Sequence, residues 1–170
     1  AMSGFYAQDV TKRDNYMALV EDCFDTMDKM MVSTNHLGHV KVAFLPLGGC
    51  GNDWAKDKTK RSEIVKRLHH IGEAAKVRGK RVGIDTPLDA QGNLKLLKEI
   101  KSDGIGIFYK WQTIVENGWD VVKDIQKLGA KNICAIHASN TDRVWLRNDT
   151  TIDVPMIKKA LDKMGWSGWL

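Results

Sequence analysis

The sequence predicts an α/β fold made of parallel βα units. Short apolar runs alternate with segments of helical periodicity along most of the chain. Val-Ala-Phe-Leu at 42–45 and Ile-Cys-Ala-Ile at 133–136 are apolar at consecutive positions, as in strands covered on both faces. The helical segments between strands supply the crossovers that parallel pairing requires, and such crossovers are right-handed.

The elements follow in order. Asp14 to Met31 sets Val20, Phe24, Met27 and Met31 at helical spacing, and Val40 to Leu47 reads as the first strand. Ser62 to Arg78 is helical through Ile64, Val65, Leu68, Ile71 and Ala75, and Gly79 stops it. Arg81 to Asp85 is a short strand, Asn93 to Ile100 a helix, and Gly104 to Tyr109 the next strand. Asp120 to Leu128 is a helix closed by Gly129, and Asn132 to His137 is the fourth strand. Asp153 caps a helix through Met164 that Gly165 closes, and Ser167 begins a further strand.

An open doubly wound sheet and a (β/α)8 barrel both accommodate this alternation. There is neither a dinucleotide fingerprint nor a phosphate loop. Gly48-Gly-Cys-Gly51 follows a strand, but no Lys-Ser/Thr pair comes after it and the next helix starts too late. The barrel is favoured. A whole barrel takes about 250 residues, so residues 1–170 are expected to form a single, incomplete one, about half to two-thirds of a barrel.

Composition excludes several classes. With 43% hydrophobic and 28% charged residues, the chain is ordinarily globular, with one core. No apolar run approaches the roughly 18 residues of a membrane span, and no secretory signal pattern opens the chain. Cys23, Cys50 and Cys134 are an odd number without metal-ligand spacing; Cys23, in a helical pattern, and Cys134, in a strand, read as core residues, and the setting as reducing and cytoplasmic. The net charge of +5 does not indicate nucleic acid, because most lysines are interspersed with acids as on solvated helix faces. The densest cluster, Lys56 to Arg61, is expected in one loop, where it suits a phosphate or an acidic substrate.

In parallel barrels the chemistry sits where strands end and βα loops begin. Those ends here carry Asp53, Trp54, Asp85, Lys110, Gln112, His137, Asn140, Asp142 and Arg143. A lone strand-end histidine usually bonds a neighbouring loop. With Asp85 at the equivalent place, a carboxylate and an imidazole can converge above one sheet, which suits a divalent metal or a general base. Lys110 ends the strand between them. It either pairs with an acid in that cleft, acts there, or snorkels at the surface. His69 and His70 on a helix and His36 and His39 in a turn do not add to this cluster.

The segments VGIDTPLDAQGNLKLLKEI, GIFYKWQTIVENGWDVVKDIQKLGAKNICAIHASNTD and IKKALDKMGWSGWL resemble the sugar phosphate isomerase/epimerase family of xylose isomerase-like TIM barrels. The resemblance runs from about Val40 to Leu170 and is strongest from Arg81 onward; LDKMGWSGWL and IHASNTD are its most specific parts. It implies movement of a hydrogen between neighbouring carbons of a small sugar or sugar phosphate. It also implies one divalent metal (Mn, Co, Mg or Zn), held by Glu, Asp, His and Glu at strand ends. By position these slots fall on Asp85, Lys110, His137 and a place beyond Leu170. Asp85 shortens the first carboxylate, Lys110 reverses the charge of the second, and His137 keeps the third. The resemblance thus implies catalytic roles for Asp85, Lys110 and His137, with Asp85 and His137 as metal ligands and metal binding weak or absent. Arg143 falls where some epimerases place a substrate-binding arginine. Asp53, Trp54 and Gln112 are the other expected substrate contacts.

Open sheet edges are sticky, so a homo-oligomer or a complementing barrel segment is expected as partner. The rival expectation is a non-catalytic half-barrel fragment or engineered scaffold that self-associates. A third is a sugar or phosphate binder using LGGCGNDWAKDKTKR.

Overall fold

The structure is a computed structural model that describes residues 13–33, 40–47, 54–139 and 145–168, without the side chains of 31–33. Its four strands are β1 (Val42–Pro46), β2 (Arg81–Asp85), β3 (Ile105–Lys110) and β4 (Ile133–His137). They pair in parallel in the order β1-β2-β3-β4, the expected adjacency. The helices are α1 (Tyr16–Ser33), α2 (Lys58–Val77), α3 (Ala90–Ile100), α4 (Trp111–Glu116), α5 (Val121–Leu128) and α6 (Val154–Lys163). The strand expected from Ser167 runs into residues outside the described ones, and Ser167 and Gly168 are not in a strand. No helix among the described residues is long and apolar enough to cross a membrane.

Four aspartates set where helices begin. Asp57, Asp89, Asp120 and Asp153 each accept from backbone N–H groups of the first turn, at α2, α3, α5 and α6. Asp57 corrects one expectation. It caps α2 by accepting from Thr59 N at 2.9 Å and Lys60 N at 3.0 Å, so Lys58 to Arg61 form a helical turn and not a loop. α4 is a second correction, because the stretch after Tyr109 was expected to be loop. The chain passes from β3 into α4 with no intervening residue and no side-chain cap.

The core lies between the sheet and the helices. Ala43, Leu45, Val82, Ile84, Ile105, Ile107, Tyr109, Ile133 and Ile136 are buried on the helix side. The other face carries Phe44, Gly83, Asp85, Gly106, Phe108 and Lys110 at alternating positions. β4 breaks that alternation. Ile107 pairs with Ile133, but Phe108 pairs with Ala135, so Cys134 is an extra, bulged residue. Cys134 Sγ donates to Ile107 O at 3.3 Å. The bulge re-phases the end of the strand, so that Ile133 and Ile136 both face the helices and His137 pairs with Lys110. In an unbulged ladder, a side chain four positions after Ile133 would point the same way as Ile133, into the helix layer.

Two glycines make room on this inner face. A Cβ at Gly83 would lie 2.6 Å from Cys134 Sγ and 3.2 Å from Phe108 Cβ; one at Gly106 would lie 2.5 Å from an Arg81 guanidinium nitrogen. On the helix side, α1 is tied down by charge: Arg78 bonds Glu21, Asp25 and Asp28, and the buried Lys80 bonds Asp28.

Candidate active site

β2, β3 and β4 deliver Asp85, Lys110 and His137 to one end of the sheet and to one face. Lys110 and His137 are register partners, and Asp85 shares the inner face through strand alternation. An aromatic line forms the floor beside them. The Phe44 and Phe108 rings meet at 4.3 Å across the space left open by Gly83, and Phe108 lies 6.4 Å from the His137 ring. Asp85 and Lys110 are half-buried and His137 is exposed. Burial pushes the Asp85 carboxyl above its usual range, and the charges of Lys110 and then His137 oppose that shift. Asp85 and Lys110 also line a hollow of about 700 Å³ with Thr86, Thr113, Asn117 and Trp119; His137 and the two phenylalanines do not line it.

Hydrogen bonds brace the described residues next to Asp85, Lys110 and His137. Thr86, next to Asp85, is buried and donates to Asn93 Oδ1 at 2.6 Å, and Asn93 Nδ2 donates to Leu88 O at 3.0 Å. Trp111 follows Lys110 and donates from Nε1 to Ser139 O at 2.6 Å, two residues past His137. Ser139 Oγ donates to Gln112 Oε1 at 3.2 Å, and Gln112 Nε2 donates to Glu116 at 2.7 Å. Gln112, expected to touch substrate, therefore has both ends of its amide engaged in this brace. Trp54 is 1% exposed in the core, with a buried indole N–H that has no partner among the described residues. Asp53, Asn140, Asp142 and Arg143 lie outside the described residues. His69 and His70 stand on α2, bonded to Ile100 O and Tyr16, away from the strand ends. Trp111 and Ser139 were not among the expected site residues. Their only signal was position, beside Lys110 and His137.

A family model for the xylose isomerase-like TIM barrel matches residues 2–170. The chain belongs to the xylose isomerase-like TIM barrel family. Solved structures agree on the fold. An L-ribulose 3-epimerase superposes with a TM-score of 0.69 at 20% identity, over 96% of this chain and 57% of its own. A D-psicose 3-epimerase from Clostridium cellulolyticum H10, solved with D-tagatose, gives 0.74 at 13% identity, over 96% and 59%. A D-allulose 3-epimerase from Methylomonas sp. gives 0.69 at 13%, over 96% and 58%. The chain thus spans less than two-thirds of the length of these epimerases. Comparison with curated proteins gave no significant match.

A divalent ion is the cofactor that membership of the xylose isomerase-like family suggests, and the residues can be tested for it. Among the described residues, no group of three His, Cys, Asp or Glu side chains is arranged to hold a metal. Asp85 and His137 are two donors on the inner face, and the strand between them ends in an ammonium. A dication placed among them would meet that charge in a half-buried site. The described residues by themselves do not fit a divalent metal.

Asp85 sets a pH dependence. A carboxyl raised in the folded state contributes stability fully present below its unfolded pKa, and that stability is lost as pH rises through the higher folded value. Asp85→Asn keeps the shape without the charge. It should be more stable than the parent at pH 7 and equal to it at about pH 3, in urea unfolding at the two pH values. A variant less stable than the parent at pH 7 would contradict burial as the dominant cause.

Proposed function

We propose that the chain carries the proton-transfer site of a sugar isomerase or epimerase. The reaction would remove and return a proton on the carbon beside a carbonyl of a small ketose. One observation supports it above the rest: Asp85 and His137 share the inner face at the C-terminal ends of the strands, over a floor of Phe44 and Phe108. The similar structures include three ketose 3-epimerases, one solved with D-tagatose. Cys23 and Cys134 are free thiols, which suits a reducing cytoplasm.

In this mechanism the Asp85 carboxylate takes the proton from carbon. The C–H electron pair becomes the new C=C bond, and the carbonyl π pair moves to oxygen as an enediolate. Partial burial raises the proton affinity of Asp85 toward that of a useful base. His137, exposed beside it, moves protons between the neighbouring sugar oxygens. Return of the proton to the adjacent carbon gives an isomer; return to the opposite face of the same carbon gives an epimer. The aromatic floor presents an apolar surface to the C–H side of the sugar.

The test is deuterium incorporation beside the carbonyl of D-tagatose or D-psicose, followed by NMR in D2O. The chain should catalyse it, and Asp85→Ala and His137→Ala should abolish it while the protein stays folded. Exchange that survives both substitutions would overturn these roles.

The sheet also has two open edges, since β1 and β4 each pair on one side only among the described residues. We infer that a second copy or a complementing barrel segment covers them. Sedimentation of the chain alone should show species heavier than its 19.1 kDa mass at high concentration. A monomer at every concentration would contradict self-association.

A further inference from the structure

Building on the proposed proton transfer, we propose that Lys110 is the fixed cation of this site. Its ammonium would stabilise the negative oxygen of the enediolate without a metal ion. Three observations support it. The bulge at Cys134 brings His137 to the same face and the same level as Lys110. Lys110 and Asp85 line one hollow, so a sugar that offers its C–H to Asp85 can offer the adjacent oxygen to Lys110. No carboxylate among the described residues forms an ion pair with Lys110, although Lys76, Lys80, Lys123 and Lys158 each have one. Its charge is therefore available to a ligand.

The backbone supports the role. Lys110 is the last residue of β3 and runs directly into Trp111, which is 1% exposed and bonded to Ser139. Its Cα is thus held on both sides, and the flexible stem brings the ammonium to the oxygen. The step balances without any redox partner. The carbon proton goes to Asp85, its electron pair forms the C=C bond, and the oxygen that gains charge accepts a hydrogen bond from Lys110 Nζ. A charge-assisted bond of this kind strengthens as the oxygen becomes an anion, which favours the transition state over the neutral ketose. The ligand class follows: a small ketose, and more tightly a sugar acid whose carboxylate imitates the enediolate.

The experiment has two arms. In the first, manganese, cobalt and zinc are titrated calorimetrically into the chain, Lys110→Asp and the double variant Lys110→Asp/His137→Ala. The parent should show no sub-micromolar binding. Lys110→Asp should acquire micromolar binding, and the double variant should lose it. In the second arm, ligand-detected NMR follows a four- or five-carbon sugar acid with a chelator present. The parent should bind it, Lys110→Met should bind at least about tenfold more weakly, and Lys110→Arg should stay within a few-fold. Sub-micromolar metal binding by the parent that is lost in His137→Ala would overturn the inference. So would sugar-acid binding that is unchanged in Lys110→Met. Ketose deuteration that proceeds only with added metal and survives Lys110→Met would sink the role of Lys110 while leaving the proton transfer standing. Absence of both sugar-acid binding and ketose deuteration in the parent, with or without metal, would overturn both.

Discussion

Gly104→Ala should destabilise the protein strongly. A methyl group at 104 would lie 1.9 Å from the carbonyl oxygen of Gly72 and 2.7 Å from its carbonyl carbon. Both atoms are backbone, so no rotamer change relieves the clash. The contact is tight from the other side too, since a methyl at Gly72 would meet Ser102 Oγ at 2.5 Å and Ile105 at 2.9 Å. Gly104 cannot simply retreat, because its carbonyl accepts from Val82 N at 2.8 Å at the entry to the β2/β3 ladder. Overpacking of this kind costs about 3 kcal/mol or more, against a total stability of roughly 5–15 kcal/mol for a domain. Urea unfolding decides it: a Gly104→Ala midpoint equal to the parent's would mean that α2 is not seated this closely on β3. Gly79 is a useful contrast. A Cβ there would meet nothing within 4 Å, so only its left-handed backbone, at φ 62°, opposes substitution.

Trp111→Ala should cost about 3–5 kcal/mol, the usual range for removing a buried large aromatic. Trp111 is 1% exposed, and its ring fills the junction of β3 with α4. Trp111→Phe separates packing from bonding. It keeps most of the ring but leaves Ser139 O without its donor, at a cost of about 1–3 kcal/mol. The larger consequence should be local, because that bond ties the exit of β4 to the residue after Lys110. Amide hydrogen exchange at Ala138 and Ser139 should speed up more than at Ile133 or Ala135. Uniform acceleration along β4 would show that the brace is ordinary packing.

Much of this architecture could be read in the sequence because strands and helices differ in period. The runs at 42–45 and 133–136 are apolar on both faces, and the helices between them force parallel pairing. The four adjacent parallel strands follow from that alternation, and the missing dinucleotide fingerprint and phosphate loop tip the choice from a doubly wound sheet to a partial barrel. Helix starts were less legible. Asp57 caps a helix whose first turn is Lys58-Thr-Lys-Arg61, and that turn has no apolar residue to announce its periodicity. α4 was invisible because it begins at a buried tryptophan directly after a strand.

The site was legible in its residue types and not in its geometry. Asp85, Lys110 and His137 stand out as polar groups where apolar runs end. Which face His137 takes is another matter. Strand alternation from Ile133 puts residue 137 against the helices, and only the extra residue at Cys134 reverses it. The bulge leaves a faint trace in sequence: glycines at 83 and 106 leave space for Cys134, Phe108 and Arg81. Gln112 and Trp54 look like substrate contacts by position, yet the structure gives one to a brace and the other to the core.

The most direct measurement is a crystal structure grown with D-tagatose and manganese both present. The expected result is a sugar in the hollow that Asp85 and Lys110 line, with the oxygen of its carbonyl about 3 Å from Lys110 Nζ and the neighbouring carbon turned toward Asp85. A manganese ion seated between Asp85 and His137, with Lys110 swung out of the hollow, would contradict it.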